Sequence, residues 1–140
     1  MERVVQSDGP EETMRLGEAL AQELREGEVV ALVGELGAGK TTLVQGIAQG
    51  LFVRDIVLSP SFVLARSYRG RLLLHHLDAY RITRPEELWE VGLTELLPPD
   101  EGVTVVEWAD RIEPLIPKGT LWVHLQLLPD DRRRITLRRL

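Results

Sequence analysis

The chain has 140 residues, 44% hydrophobic and 28% charged, with a net charge of −5 and no cysteine. That size and balance fit one globular domain, 1–140, and exclude disulfides and thiolate metal sites. No apolar run reaches the length of a membrane span, the first residues lack a signal-peptide pattern, and an acidic protein does not coat nucleic acid by bulk electrostatics, so a cytoplasmic location is expected. In chain order, residues 3–6 read as a short strand. Residues 10–25 read as a helix, with Pro10, Glu11 and Glu12 suiting its N-terminus and Gly27 ending it. Val29 to Val33 is an apolar, mostly β-branched run, as expected of a buried parallel strand.

A loop and a second helix, over 42–49, come next. Gly34-Glu35-Leu36-Gly37-Ala38-Gly39-Lys40-Thr41 matches the phosphate-binding loop G-x-x-x-x-G-K-[ST] at every fixed position, and Lys40 is one of only two lysines. Glycines let the backbone wrap a phosphate closely, and the loop N–H groups with the helix N-terminus present partial positive charge to it. Lys40 is expected to reach the β- and γ-phosphates and Thr41 to ligate Mg²⁺. The whole stretch from Gly34 to Thr42 is therefore the candidate nucleotide-binding segment. Asparagine is absent, so the chain cannot supply the Asn-Lys-x-Asp motif that usually reads guanine. ATP is favoured over GTP.

Ser59-Pro60-Ser61 is a loop signal. Residues 62–68 and 72–77 follow as an antiparallel hairpin across Arg69-Gly70. Residues 85–91 form a short helix, 103–106 another buried strand, and 121–127 with 134–138 a closing strand pair turned by Pro129-Asp130-Asp131. The fold class is α/β: a P-loop NTPase-like, three-layer domain whose sheet mixes parallel and antiparallel strands.

A P-loop needs an acid at the end of a nearby strand. Asp78 follows the run 72–77, and Glu107 follows 103–106. Ligands of open α/β sheets lie beyond the carboxyl ends of strands, so both acids are candidates to hold metal or orient water. The tail carries Arg132, Arg133, Arg134, Arg138 and Arg139. This basic group either touches phosphate or forms a solvated strand edge.

The order of Gly-Glu-Leu-Gly-Ala-Gly-Lys-Thr-Thr (34–42), Ser-Pro-Ser-Phe (59–62), His-Leu-Asp-Ala-Tyr-Arg (76–81), Pro-Glu-Glu-Leu (85–88) and Val-Glu-Trp (106–108) resembles the bacterial TsaE (YjeE) family. That family is the ATPase of tRNA threonylcarbamoyladenosine biosynthesis. The likeness runs from about residue 10 to the C-terminus. It implies that Thr41 contributes to Mg²⁺ binding, that Glu107 is a Mg²⁺ or catalytic residue, that Trp108 lies near the nucleotide, and that Asp78 is required for activity. Residues 59–62 resemble a switch loop that senses the γ-phosphate. The resemblance further implies a complex with the threonylcarbamoyl transferase subunit and its paralogous partner (TsaD and TsaB). That complex modifies the adenosine next to the anticodon in ANN-decoding tRNAs, hydrolysis resets it between turnovers, and tRNA contact is indirect. Ser61 departs from the usual threonine, and Leu77 and Ala79 from the usual Phe and Leu. The triplet 132–134 falls where the family has only a loose basic region. Arg132 is the nucleotide-contact candidate there.

His75 and His76 are adjacent, so on a strand they face opposite sides, and they read with His124 as structural histidines. Trp89 and Trp122 read as core or half-buried packing residues. Two other functions compete. A small-molecule kinase needs an acceptor pocket and usually an arginine-bearing lid, and the one stretch to consider, 66–84, reads instead as hairpin strands leading to Asp78. A docking module would use ATP only to stabilise a conformation.

Overall fold

Strands buried on both faces must be covered on both, and Val29–Gly34, Leu74–Asp78 and Val103–Glu107 are three such strands. The computed structural model describes residues 2–60 and 64–139. Within them lie β1 (Glu2–Ser7), β2 (Val29–Gly34), β3 (Ala65–Tyr68), β4 (Leu74–Asp78), β5 (Val103–Glu107), β6 (Leu121–Leu127) and β7 (Arg133–Arg139). They make one sheet in the order β1-β7-β6-β2-β5-β4-β3. The central strands β6, β2, β5 and β4 run parallel, β7 and β3 run antiparallel to them at the two flanks, and β1 pairs antiparallel with β7. Every residue of β4 and β5 is buried, as are Val29 to Leu32 of β2. The flanking β6 and β7 instead alternate between core and solvent.

Two helices, α1 (Pro10–Glu23) and α2 (Lys40–Gly50), cover one face, above Val30, Leu32, Leu74, Val103 and Val105. They approach closely because glycines line their contact. A Cβ at Gly46 would run into the Met14 carbonyl, and one at Gly17 would come 2.5 Å from Leu43 O. α1 ends sooner than its apolar pattern predicts, since Leu24 adopts extended backbone and drops into the core. The other face buries Val29, Ala31, Leu77 and Val106 against Ile82, Leu88, Ala109 and Ile112. Here the cover is α3 (Glu86–Glu90) and two 3₁₀ segments, Leu93–Leu96 and Ala109–Leu115. Neither 3₁₀ segment has a readable helical period, and Pro114 lies inside the second.

The hairpin reading of 66–84 is favoured over a kinase lid, since β3 and β4 pair antiparallel there. One expectation needs correcting. Trp89 is not a packing residue but 72% exposed, because Leu88 occupies the inward position of the short α3. The expected strand over 62–68 is described only from Ala65, its start lying outside the described residues. No helix among the described residues is long and apolar enough to cross a membrane.

The helix contact makes a test of competing effects. Alanine gains up to about 1 kcal/mol over glycine in helix propensity, but the added methyl at position 46 meets backbone that cannot step aside. Gly46→Ala is expected to lose about 2 kcal/mol in urea unfolding. A gain in stability would show that the helices are further apart.

Candidate functional site

β2 lies between β5 and β6, and its carboxyl end leads straight into the phosphate loop. The approach is tight: a Cβ at Gly34 would sit 2.5 Å from Leu125 O of β6. Gly37 and Gly39 take φ of +83° and +104°, conformations that a side chain would strain. Lys40 is then the first residue of α2, so the helix N-terminus opens onto the loop. The Lys40 ammonium is buried and folded back. Its Nζ donates to Gly34 O at 2.5 Å and Glu35 O at 2.8 Å, and lies 4.1 Å from the centre of the Trp108 ring. Burial lowers its pKa below the ordinary 10.5, against the upward pull of Glu107, Asp78, Asp110 and Glu35.

Strand register brings the two acids together. Asp78 and Glu107 are partners at the ends of β4 and β5, and Leu32 of β2 pairs with Glu107 from the other side. Alternation places Glu107 on the face of Val105, which is the α2 face. The Thr41 hydroxyl accordingly reaches Glu107, 3.0 Å from each carboxylate oxygen. Glu107 is 3% exposed, and its Oε2 has a second partner in His76 Nε2 at 2.6 Å. Asp78 does something different. Its Oδ2 accepts from Ser59 Oγ at 2.8 Å and its Oδ1 from the Tyr80 N–H at 2.9 Å. It thereby ties the segment before β3 to the turn after β4.

Trp108 follows Glu107 in a left-handed conformation, φ 58°, which turns the chain out of the sheet. Its ring packs on Tyr80 with centroids 4.9 Å apart, and the Arg111 guanidinium lies 5.3 Å from both rings. The result is a cleft of about 470 Å³ bounded by Leu36, Gly37 and Gly39 to Thr42 on one side. Ser59, Asp78, Tyr80, Arg81, Glu107, Trp108 and Arg133 bound the other.

Most of the residues singled out in the sequence therefore converge. Gly34, Glu35 and Ala38 do not line the cleft: the first two offer their carbonyls to Lys40, and the Ala38 side chain is buried. Arg132 is exposed and also outside it. Arg133 is the arginine that lines the cleft, donating from Nη2 to Gly37 O at 3.2 Å. Strand phase explains the choice, because β7 begins at Arg133 and its side chain shares the α-helical face with Ile135 and Leu137. Of the segment 59–62, Ser61 and Phe62 lie outside the described residues. His76 was missed as a site residue. Its signal was the period of two that puts it on the same face as Asp78.

The donor set suits Mg²⁺. A carboxylate and a hydroxyl give hard oxygen ligands, and no cluster of three or more His, Cys, Asp or Glu stands ready for a metal among the described residues. A carboxylate with a hydroxyl is chemically compatible with an ion that binds through one or two protein groups plus substrate phosphates and water.

The Asp78 clamp yields a prediction. Asp78→Ala leaves the Tyr80 N–H without its acceptor, so stability should fall by about 2 kcal/mol and the Tyr80 amide should exchange faster with solvent deuterium. Unchanged exchange at that amide would exclude the clamp.

Residues 7–135 match the family described as threonylcarbamoyl adenosine biosynthesis protein TsaE. A tRNA threonylcarbamoyladenosine biosynthesis protein TsaE from Treponema pallidum is 39% identical over 131 residues, or 94% of this chain and 96% of that relative. One from Bacillus subtilis is 41% identical over 128 residues, 91% of this chain and 79% of that one. The crystal structure of Bacillus subtilis YdiB matches with a TM-score of 0.84 at 36% identity, covering 98% of this chain and 84% of that one. Shared sequence and a shared fold over nearly the whole length place this chain in the TsaE family.

Proposed function

We propose that this chain is a Mg²⁺-dependent ATPase, acting as one domain and as an accessory subunit in tRNA threonylcarbamoyladenosine biosynthesis. Family membership supports the pathway. The observation that carries the chemistry is the contact between the Thr41 hydroxyl and the buried Glu107 carboxylate, 66 residues apart in sequence, at the head of a phosphate loop. Lys40 supplies positive charge to the β- and γ-phosphates, and the loop and α2 N-terminus cradle them. Thr41 and Glu107 hold Mg²⁺, which neutralises charge on the phosphate oxygens. Asp78 sets Ser59 and the Tyr80 turn beside the reacting end, and Trp108 walls that end from bulk water. Arg133 adds a second cation over the loop. Catalysis in such a site is positioning and charge stabilisation.

Slow hydrolysis resets a complex with the transferase subunit and its paralogous partner between turnovers, in the cytoplasm. An acidic chain of net charge −5 leaves tRNA recognition to those partners.

The deciding experiment measures Mg²⁺-dependent ATP hydrolysis by the purified chain, alone and with the transferase complex. Turnover should change with the complex and fall about 10²- to 10³-fold in Lys40→Ala and in Glu107→Gln. Glu107→Gln should still bind nucleotide. Labelled γ-phosphate appearing on an acceptor other than water would replace this reading with a kinase. Turnover indifferent to the complex would remove the accessory role.

A further inference from the structure

His76 is fully buried on the α2 face of β4, between Leu74 and Asp78 in the alternation of the strand. It is in register with Val105, so Glu107 lies diagonally across from it, two residues further along β5. Nε2 stands 2.6 Å from Glu107 Oε2. A carboxylate oxygen only accepts, so Nε2 carries the proton, and the tautomer is fixed by Glu107. Nδ1 has no hydrogen-bond partner among the described residues. Burying that nitrogen without a partner opposes folding, and an apolar side chain would avoid the penalty. The ring's polar contact with Glu107, its one such contact among the described residues, is therefore the feature that a space-filling role does not explain.

Glu107 is held unevenly. Among the described residues, Oε2 is shared by His76 and the Thr41 hydroxyl, whereas Oε1 has only that hydroxyl, whose single proton serves one oxygen at a time. We propose that His76 is a positioning residue: it fixes Glu107 through Oε2 and leaves Oε1, beside Thr41 Oγ1, for a divalent cation. This rests on the Mg²⁺ role proposed above for Glu107. Buried donors behind a ligating carboxylate act in this way, restricting its rotation so that the ligand is in place before the ion arrives.

The test compares His76→Met, which keeps bulk and removes the donor, with His76→Gln, whose amide nitrogen returns near the Nε2 position. ADP affinity is measured by calorimetry with Mg²⁺ and with EDTA. His76→Met should lose about tenfold of the affinity that Mg²⁺ adds, with the EDTA affinity within about twofold of the unaltered protein. His76→Gln should recover most of that loss. If the Met variant does not fold, His76→Asn takes its place, since its amide stops short of Glu107. A full Mg²⁺ increment without the donor, or equal losses with and without Mg²⁺, would reduce His76 to packing. Urea stability of His76→Met, Glu107→Gln and the double variant supplies a readout independent of nucleotide. Effects that simply add overturn the pair, and effects that do not add support it. Failure of the unaltered protein to bind ADP would sink the nucleotide reading, and the stability cycle would still decide whether His76 holds Glu107.

Discussion

A carboxylate cannot be buried without partners, and the architecture around Glu107 follows from that constraint. Its partners come from two directions. One is Thr41 at the start of α2, and the other is His76 on the neighbouring strand β4. The first contact needs α2 to begin where the phosphate loop ends, and the second needs β4 and β5 to be parallel and in the observed register. Shift β5 by one residue and the carboxylate changes to the side covered by α3 and the 3₁₀ segments, and shift β4 by one and His76 leaves the carboxylate's face. The parallel centre of the sheet is thus the part of the fold that the site cannot do without.

Lys40 shows the same economy. Its ammonium is engaged by two loop carbonyls and the Trp108 ring. These contacts offset part of the desolvation of a buried cation, and they also keep the loop in a wrapped conformation. Trp108 is connected in turn to Tyr80, and Tyr80 to Asp78 and Ser59. A continuous line of contacts therefore runs from the phosphate lysine to the segment preceding β3.

The parts legible in the sequence were those whose chemistry is local. Gly34 to Thr41 fold as a unit whose residue types are dictated by backbone geometry, and Asp78 and Glu107 each end a short, largely apolar run that reads as a strand. The parts that escaped depend on phase or on distant neighbours. Arg132 and Arg133 are adjacent, and only the first residue of β7 decides which faces the loop. Trp89 looks like a core residue until Leu88 fills the inward position of a helix only five residues long. His76 looks structural because its partner is 31 residues away. The 3₁₀ cover over the second face carries too few turns to show a period.

The flank of the sheet away from β3 has a bearing on how the protein is made. Among the described residues β1 has one sheet neighbour, β7, and β7 must itself be laid against β6. On the ribosome β1 therefore waits with its backbone unpaired until β7 emerges, well after the phosphate loop and both acids. Arg133, the cation that β7 brings to the loop, arrives with it. The pairing of the earliest strand and the completion of the cleft are thus a single late event, so a chain stalled before β7 would carry the P-loop sequence and both acids yet have an unfinished cleft and an open strand edge.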